Sequence, residues 1–127
     1  MIEIEQLDHL VLTVRDIDVS CEFYTQVLGM QRIHFGAGRT ALKFGRQKIN
    51  LHLYRQEFPP CAATPTPGSA DLCFITRTPL DEVARHIQSC DVPIEEGPIR
   101  RSGANGPILS LYVRDPDGNL LEIANQE

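Results

Sequence analysis

The chain has 127 residues, of which 42% are hydrophobic and 23% charged. These values are typical of a soluble globular protein of one domain, or of two half-domains that share a core. The formal net charge of -5 gives no basic surface for nucleic acid or an anionic membrane. No apolar run approaches the ~20 residues that span a bilayer, so we expect neither nucleic-acid nor membrane partners.

The four cysteines and the first residues indicate a reducing compartment. The cysteines show no C-x-x-C spacing, and without a secretory context they are expected to be small buried hydrophobic residues. The segment Met1–Glu5 is acidic and lacks the basic start and apolar core of a signal peptide. We therefore expect a cytoplasmic protein.

The first half of the chain predicts one strand, one helix and three further strands. Residues Leu7–Val14 form a short apolar run rich in β-branched residues, typical of a buried strand. Asp16 or Asp18 is placed to cap a helix, and Gly29 is placed to end it in the left-handed conformation. The strands that follow are predicted at 31–35, 39–44 and 48–54.

The second half repeats this order after a break. The stretch Phe58–Gly68 holds four prolines and no periodicity, which indicates a linker. A strand is predicted at 71–76, and Thr78–Asp81 combines a capping residue, a first-turn proline and an acidic residue, which favours a helix start. Three strands are predicted near 94–99, 108–113 and 120–124, the last two joined by the turn sequence Asp115–Asn119.

The order β-α-β-β-β therefore occurs twice, which predicts an α+β fold of paired βαβββ modules with mixed sheets. The first module covers about residues 5–56, the linker about 57–70 and the second module about 71–126, as a single domain. Each four-stranded sheet would leave one face uncovered. Pairing two such sheets, within a chain or across a dimer, would bury these faces and leave a concave cleft.

Four residues of metal-ligand type lie in or beside predicted strands. His9 and His52 each interrupt an apolar strand, and Glu122 lies within Leu120–Ile123, where a carboxylate is unfavourable unless a cation compensates it. Asp71 opens the fifth strand, at the position that His9 occupies in the first module. Glu122 in the last strand occupies the position that His52 occupies in the first module, so sheet pairing would bring all four into one cleft.

Each of these residues alone also fits an ordinary structural role, such as a hydrogen-bonded core histidine or a solvent-facing carboxylate. Together, two imidazoles and two carboxylates suit one divalent ion such as Zn²⁺, Ni²⁺, Co²⁺, Mn²⁺ or Fe²⁺. Four protein ligands in an octahedral site would leave two adjacent positions for a substrate that chelates through neighbouring oxygens. The pattern therefore predicts a metalloenzyme.

Five segments resemble the vicinal oxygen chelate superfamily, which includes glyoxalase I, type I extradiol dioxygenases and bleomycin-resistance proteins. The similarity is greatest to the branch of glyoxalase domain-containing protein 5. It implies a dimer with a metal in the sheet cleft, held by residues that map onto His9, His52, Asp71 and Glu122. Family members commonly have Glu in the fourth strand and His in the fifth, so His52 and Asp71 exchange those types. The segments are LDHLVLTVRD, FYTQVLGM, KINLHLY, GSADLCF and DPDGNLLEI.

This resemblance implies a detoxifying lyase similar to lactoylglutathione lyase. The ion would bind both oxygens of a methylglyoxal–thiol hemithioacetal and stabilise an enediolate. Glu122 is the first candidate for the base and Asp71 the second. The family's glutathione-contacting Arg, four residues after the first ligand, is Thr13 here. The substrate is therefore expected to contact other arginines, namely Arg39, Arg55, Arg100 and Arg101.

Two other functions fit the same resemblance. An extradiol-type dioxygenase would use Fe²⁺ held by two histidines and one carboxylate, and a fourth ligand such as Asp71 argues against it. A bleomycin-resistance-like protein would bind a small molecule without catalysis, and it would not need the four ligand-type residues. A thiol transferase is less favoured, because the family's substrate-contacting Thr is replaced by Val11.

Overall fold

The computed structural model describes all 127 residues. The chain divides into two compact units, Met1–Pro67 and Gly68–Glu127, and each unit has one helix and one four-stranded mixed sheet in the order β-α-β-β-β. This confirms the predicted α+β fold of paired βαβββ modules. Neither helix is long and apolar enough to cross a membrane.

The first unit contains a sheet in the order β1-β4-β3-β2. Strands β1 and β4 are parallel, whereas the pairs β2–β3 and β3–β4 are antiparallel. The parallel pair arises because the helix that follows β1 returns the chain to the end of the sheet at which β1 began. Its elements are β1 (His9–Val14), α1 (Ile17–Leu28), β2 (Gln31–Phe35), β3 (Arg39–Phe44) and β4 (Gln47–Leu53).

Helix α1 begins and ends where the sequence predicts. The side chain of Asp16 accepts a hydrogen bond from the Val19 backbone N–H at 2.9 Å, and Gly29 ends the helix at φ 69°, a conformation that favours glycine. The buried side chains of Cys21, Tyr24 and Val27 form the inner face of the helix. They lie beside strands β3 and β4, whose inward residues are apolar and buried.

The second unit contains a sheet in the order β5-β8-β7-β6, again with its outer pair, β5 and β8, parallel. Its strands β6 and β7 are longer than the apolar pattern predicts, because pairing continues to Gly103 opposite Gly106 through the polar residues Arg100–Ser102. Its elements are β5 (Asp71–Ile75), α2 (Leu80–Ser89), β6 (Glu96–Gly103), β7 (Gly106–Arg114) and β8 (Leu120–Gln126).

Helix α2 begins with a different cap from the one predicted. Pro79 occupies the N-cap position without a side-chain cap, so Thr78 does not cap the helix. The first free amide, that of Leu80, donates instead to Asn125 Oδ1 on β8 at 2.9 Å. The Asn125 amide group in turn donates to the carbonyls of Thr76 and Thr78, each at 2.9 Å. A residue distant in sequence therefore satisfies the helix start.

Each sheet has two chemically different faces. The face toward the helix is apolar and includes the fully buried Leu42 and Ile49 in the first unit and Leu121 and Val113 in the second. The opposite face, called here the open face, carries the alternate residues of each strand. His9 and Glu122 lie on the open faces of their units, so these faces hold residues of the metal-ligand type that the sequence predicts.

Candidate functional site

The open face of the first unit begins at His9. Its Nδ1 lies 2.8 Å from Asp8 Oδ2, and this hydrogen bond is the main reason that the pKa of the exposed Asp8 carboxyl is lowered. A carboxylate acceptor on Nδ1 fixes the proton there and directs the Nε2 lone pair away from it. The side chain is 44% exposed. His9 therefore presents a free, oriented nitrogen of the kind that metal ligation needs.

His52 lies on the same face in a different state. It is buried, with 3% exposure, and its Nε2 lies 3.4 Å from Arg39 Nη2, while its ring packs edge-on against Phe58. Because a guanidinium only donates, Nε2 must accept, and the proton lies on Nδ1. Burial first, and the Arg39 charge second, lower the pKa of His52. The nitrogen lone pair is thus already engaged.

The pairing register places Asn50, rather than His52, nearest to His9. His9 lies opposite Lys48 and Val11 lies opposite Asn50, so Asn50 is one diagonal step from His9 on the same face. His52 is four residues beyond Lys48, about 13 Å along the strand at the usual rise. The spacing of the two modules alone does not reveal this difference, because residues 50 and 52 point to the same side.

Asn50 has an unused polar atom. The residue is 5% exposed, and its side-chain oxygen Oδ1 has no hydrogen-bond partner. A buried acceptor without a partner is unfavourable by about 1–3 kcal/mol, so a water molecule or an ion is expected to satisfy it. Sequence reasoning overlooked Asn50 because the neighbouring His52 is the stronger ligand type. The signal available was one amide within the apolar run Ile49–Leu51.

The second unit repeats this geometry with carboxylates. Asp71 lies opposite Leu120, and Cys73 lies opposite Glu122, so Asp71 and Glu122 stand in the same diagonal relation as His9 and Asn50. Glu122 is thus the counterpart of Asn50, which corrects the equivalence to His52 inferred from the sequence. The two carboxylates share the open face of their sheet.

Two side chains hold the Glu122 carboxylate. The hydroxyl of Ser110, a fully buried residue of β7, donates to Glu122 Oε2 at 2.5 Å. The Cys73 thiol also contacts the carboxylate. Partial desolvation of the thiol against the sheet, then the charge and hydrogen bond of Glu122, and finally Asp71, raise its pKa to about 11, although the residue as a whole is exposed. Cys73 and Cys61 are exposed, so the expectation that the cysteines are buried is wrong for both.

A turn at the start of β8 positions the two carboxylates relative to each other. Asp115 is buried and accepts hydrogen bonds from the Asn119 side chain and from two backbone amides of the turn. Asn119 Oδ1 accepts from the Ala70 backbone N–H at 2.8 Å, and Leu120 N–H donates to the Ala70 carbonyl at 3.1 Å. Ala70, directly before Asp71, is therefore hydrogen-bonded to Asn119 and Leu120, which lie shortly before Glu122.

The four arginines expected to bind substrate are in different surroundings. Arg39 stacks on the rings of Phe35 and Phe58 beside His52, whereas Arg55 lies over the ring of its neighbour, Tyr54. On β6 the two arginines alternate. Arg101 lies on the same face as Glu122, whereas Arg100 points to the other face and pairs with Glu127 at 3.3 Å.

The four predicted ligands are divided equally between the two units, with His9 and His52 in the first and Asp71 and Glu122 in the second. No group of three or more His, Cys, Asp or Glu side chains in the chain forms a metal-binding cluster. Each unit nevertheless presents donors that divalent ions accept: the imidazole of His9 and the unpartnered oxygen of Asn50 in the first unit, and the carboxylates of Asp71 and Glu122 in the second.

Residues 6–123 match the family model described as the Glyoxalase/Bleomycin resistance protein/Dioxygenase superfamily. Among curated proteins, the chain is 55% identical to Virulence protein STM3117 of Salmonella typhimurium, over 95% of this chain and 84% of that protein. It is 49% identical to Glyoxalase domain-containing protein RDO1 of Mycosarcoma maydis, over 99% of this chain and 71% of that protein.

Solved structures of other proteins also have the fold of this chain. An integron cassette protein from the mobile metagenome of V. cholerae superposes with a TM-score of 0.98 and 54% identity, covering 100% of this chain and 99% of that one. A lactoylglutathione lyase from Agrobacterium tumefaciens superposes with a TM-score of 0.71 and 26% identity, covering 94% and 92%. The fold is thus shared with a protein named as a lyase.

Proposed function

This chain belongs to the glyoxalase/bleomycin resistance protein/dioxygenase superfamily, and we propose that it is a metal-dependent, glyoxalase-like lyase. The observation that carries the proposal is the repeated diagonal pair, His9 with Asn50 in one sheet and Asp71 with Glu122 in the other. The similarity to a lactoylglutathione lyase supports this reaction class. The resemblance also favours a homodimer.

We propose His9, Asn50, Asp71 and Glu122 as the residues that hold one divalent ion. Asn50 replaces His52 in the predicted set, since Arg39 already occupies the accepting nitrogen of His52. The set keeps two negative charges and offers one nitrogen and three oxygens. Such an oxygen-rich set favours harder ions such as Mn²⁺ over Zn²⁺.

When bound, the ion would polarise two neighbouring oxygens of a substrate and stabilise negative charge developing there. The chain's own contribution is the placement of the base. Glu122 would move a proton between the adjacent carbons, with Asp71 as the second candidate. Ser110 donates to one carboxylate oxygen of Glu122, which restricts rotation of the carboxylate. Asp8 orients His9 in the same way.

The metal set is tested by calorimetric titration with Mn²⁺, Ni²⁺ and Zn²⁺ after treatment with chelator. Asn50→Ala should weaken binding by about tenfold or more, the equivalent of about 1.4 kcal/mol, and Asn50→Asp should restore it. His52→Gln, on the same strand and face, is the matched control and should leave the affinity within about twofold. Loss of affinity in His52→Gln with normal affinity in Asn50→Ala would reverse the assignment.

The reaction is tested with the methylglyoxal–glutathione hemithioacetal and with hemithioacetals of smaller thiols, each assayed with the three ions. Glu122→Gln should abolish turnover while the protein still folds. Turnover that survives in Glu122→Gln would remove that residue as the base. Stoichiometric metal with no turnover of any hemithioacetal would contradict the lyase assignment.

A further inference from the structure

A cavity of about 370 Å³ lies within the second unit, directly beside Glu122. Cys73 and Glu122 line one side of it, and Arg101 and Asn105 line another. Its volume is at the lower end of the range for small-molecule sites, which is about 300–1,000 Å³. The cavity therefore suits a small ligand and places that ligand next to the proposed base.

The charge of the cavity is set by two groups. Arg101 is its one cationic lining residue, and Glu122 is its one anionic lining residue. The rest is apolar or neutral, including Ile75 and Ile108. A ligand with one negatively charged end can pair with Arg101 while a short apolar body contacts Ile75 and Ile108.

Arg101 is held in position from both sides. Its Nε donates to the Tyr112 hydroxyl at 3.0 Å, and its Nη2 lies 3.6 Å from Glu96. Tyr112 lies directly opposite Glu122 across the β7–β8 ladder, so the guanidinium is anchored near the proposed base. A guanidinium carries five N–H donors in a planar fork, which leaves further donors for a carboxylate.

From this arrangement we infer that the substrate is a small monocarboxylate in which the chelating oxygens lie close to the acid group, as in a 2-oxo or 2-hydroxy acid or its adduct. The carboxylate binds Arg101 as a charge-assisted hydrogen-bonded pair, and the aliphatic part contacts Ile75 and Ile108. A glutathione conjugate brings two carboxylates and an ammonium group, which a cavity with one cation does not match. Arg101 is thus the specificity-determining residue, and the inference rests on the proposed function in taking Glu122 as the reacting group.

The test uses chelator-treated protein without metal and without turnover, so its result is independent of the lyase assay. The probe is 2-oxoisovalerate, compared with its neutral methyl ester, and binding is followed by ligand-observed NMR. We expect saturable binding of the acid and none of the ester. Because Cys73 lines the same cavity, the bound acid should also slow alkylation of Cys73 by iodoacetamide.

Arg100 provides the matched control, since it is the same residue type on the same strand but faces the other side of the sheet. Arg101→Gln should weaken binding of the acid by about tenfold or more, whereas Arg100→Gln should leave it within about twofold. Thermal melts of both variants check folding. Equal losses in the two variants, equal binding of acid and ester, or no saturable binding would each overturn the inference. If metal binds but the acid does not, the proposed lyase survives and the monocarboxylate assignment falls.

Discussion

Replacement of Asn125 by alanine should destabilise the second unit through the start of α2. The side chain makes three hydrogen bonds of 2.9 Å, accepting from the Leu80 amide and donating to the carbonyls of Thr76 and Thr78. Two of these bonds are partly buried and one is exposed. A net contribution of about 0.5–1.5 kcal/mol from each of the two partly buried bonds gives a loss of about 1–3 kcal/mol, to which the exposed bond adds little.

Urea denaturation, followed by far-ultraviolet circular dichroism, measures this loss. With an m-value of about 2 kcal/mol/M, in the middle of the usual range for urea, the midpoint should fall by about 0.5–1.5 M. Asn105→Ala, in the turn between β6 and β7, is the matched control and should change the free energy of unfolding by less than about 0.5 kcal/mol. Hydrogen exchange should show loss of protection concentrated at the start of α2.

The reasoning would be refuted if Asn125→Ala unfolded at the same urea concentration as the control. It would also be refuted if the loss of protection spread evenly over both units, since the three bonds connect only β8, the end of β5 and the start of α2. Retention of stability would mean that water satisfies all three backbone groups as well as the side chain does.

Three further predictions follow from the titratable groups. In metal-free protein, alkylation of Cys73 should show a midpoint near pH 11, and Glu122→Gln should lower it because it removes a negative charge. At neutral pH the thiolate fraction of Cys73 should be about a hundredfold lower than that of a thiol with the reference pKa of 9.0. Because the pKa of His52 is lowered in the folded protein, the unfolded chain takes up a proton on this residue at a higher pH than the folded protein does. The free energy of unfolding should therefore fall as the pH drops below the reference pKa of 6.5. His52→Gln should remove this pH dependence in urea titrations. Asp8→Ala should weaken metal binding by about 10–100-fold, whereas Asp8→Asn should lose less; equal affinity of Asp8→Ala and the parent would exclude the orienting role.

The fold was predictable because its signals are local. Helix α1 has its cap at Asp16 and its stop at Gly29, and β2 and β3 begin and end at the predicted residues. The start of α2 was not predictable in detail, because the group that satisfies its amide, Asn125, is 45 residues away along the chain. The order of elements thus comes from local patterns, whereas a tertiary contact decides how one of them begins.

The proposed ligand set differs from the set predicted from the sequence by two positions on one strand, with Asn50 in place of His52. Alternation identifies the face of a strand, and both Asn50 and His52 lie on the same face, so residue type alone favoured the histidine. The pairing of Val11 with Asn50 and the contact of Arg39 with His52 distinguish them, and neither can be read from a single sequence. Cys73 was overlooked for a related reason, since its proximity to Glu122 depends on the parallel pairing of β5 with β8.

The turn from Asp115 to Asn119 gives the molecule a way to lose function without losing any chemical group. A change at Asn119 would release the Ala70 amide and loosen the pairing at the start of β5 and β8. The distance between the Asp71 and Glu122 carboxylates would then vary while both side chains remained intact. Under the proposed function, such a variant would lose activity in a screen and would be mistaken for a variant that lacks a catalytic group. Only a comparison of its metal affinity with its free energy of unfolding would show that the two carboxylates are misplaced relative to each other.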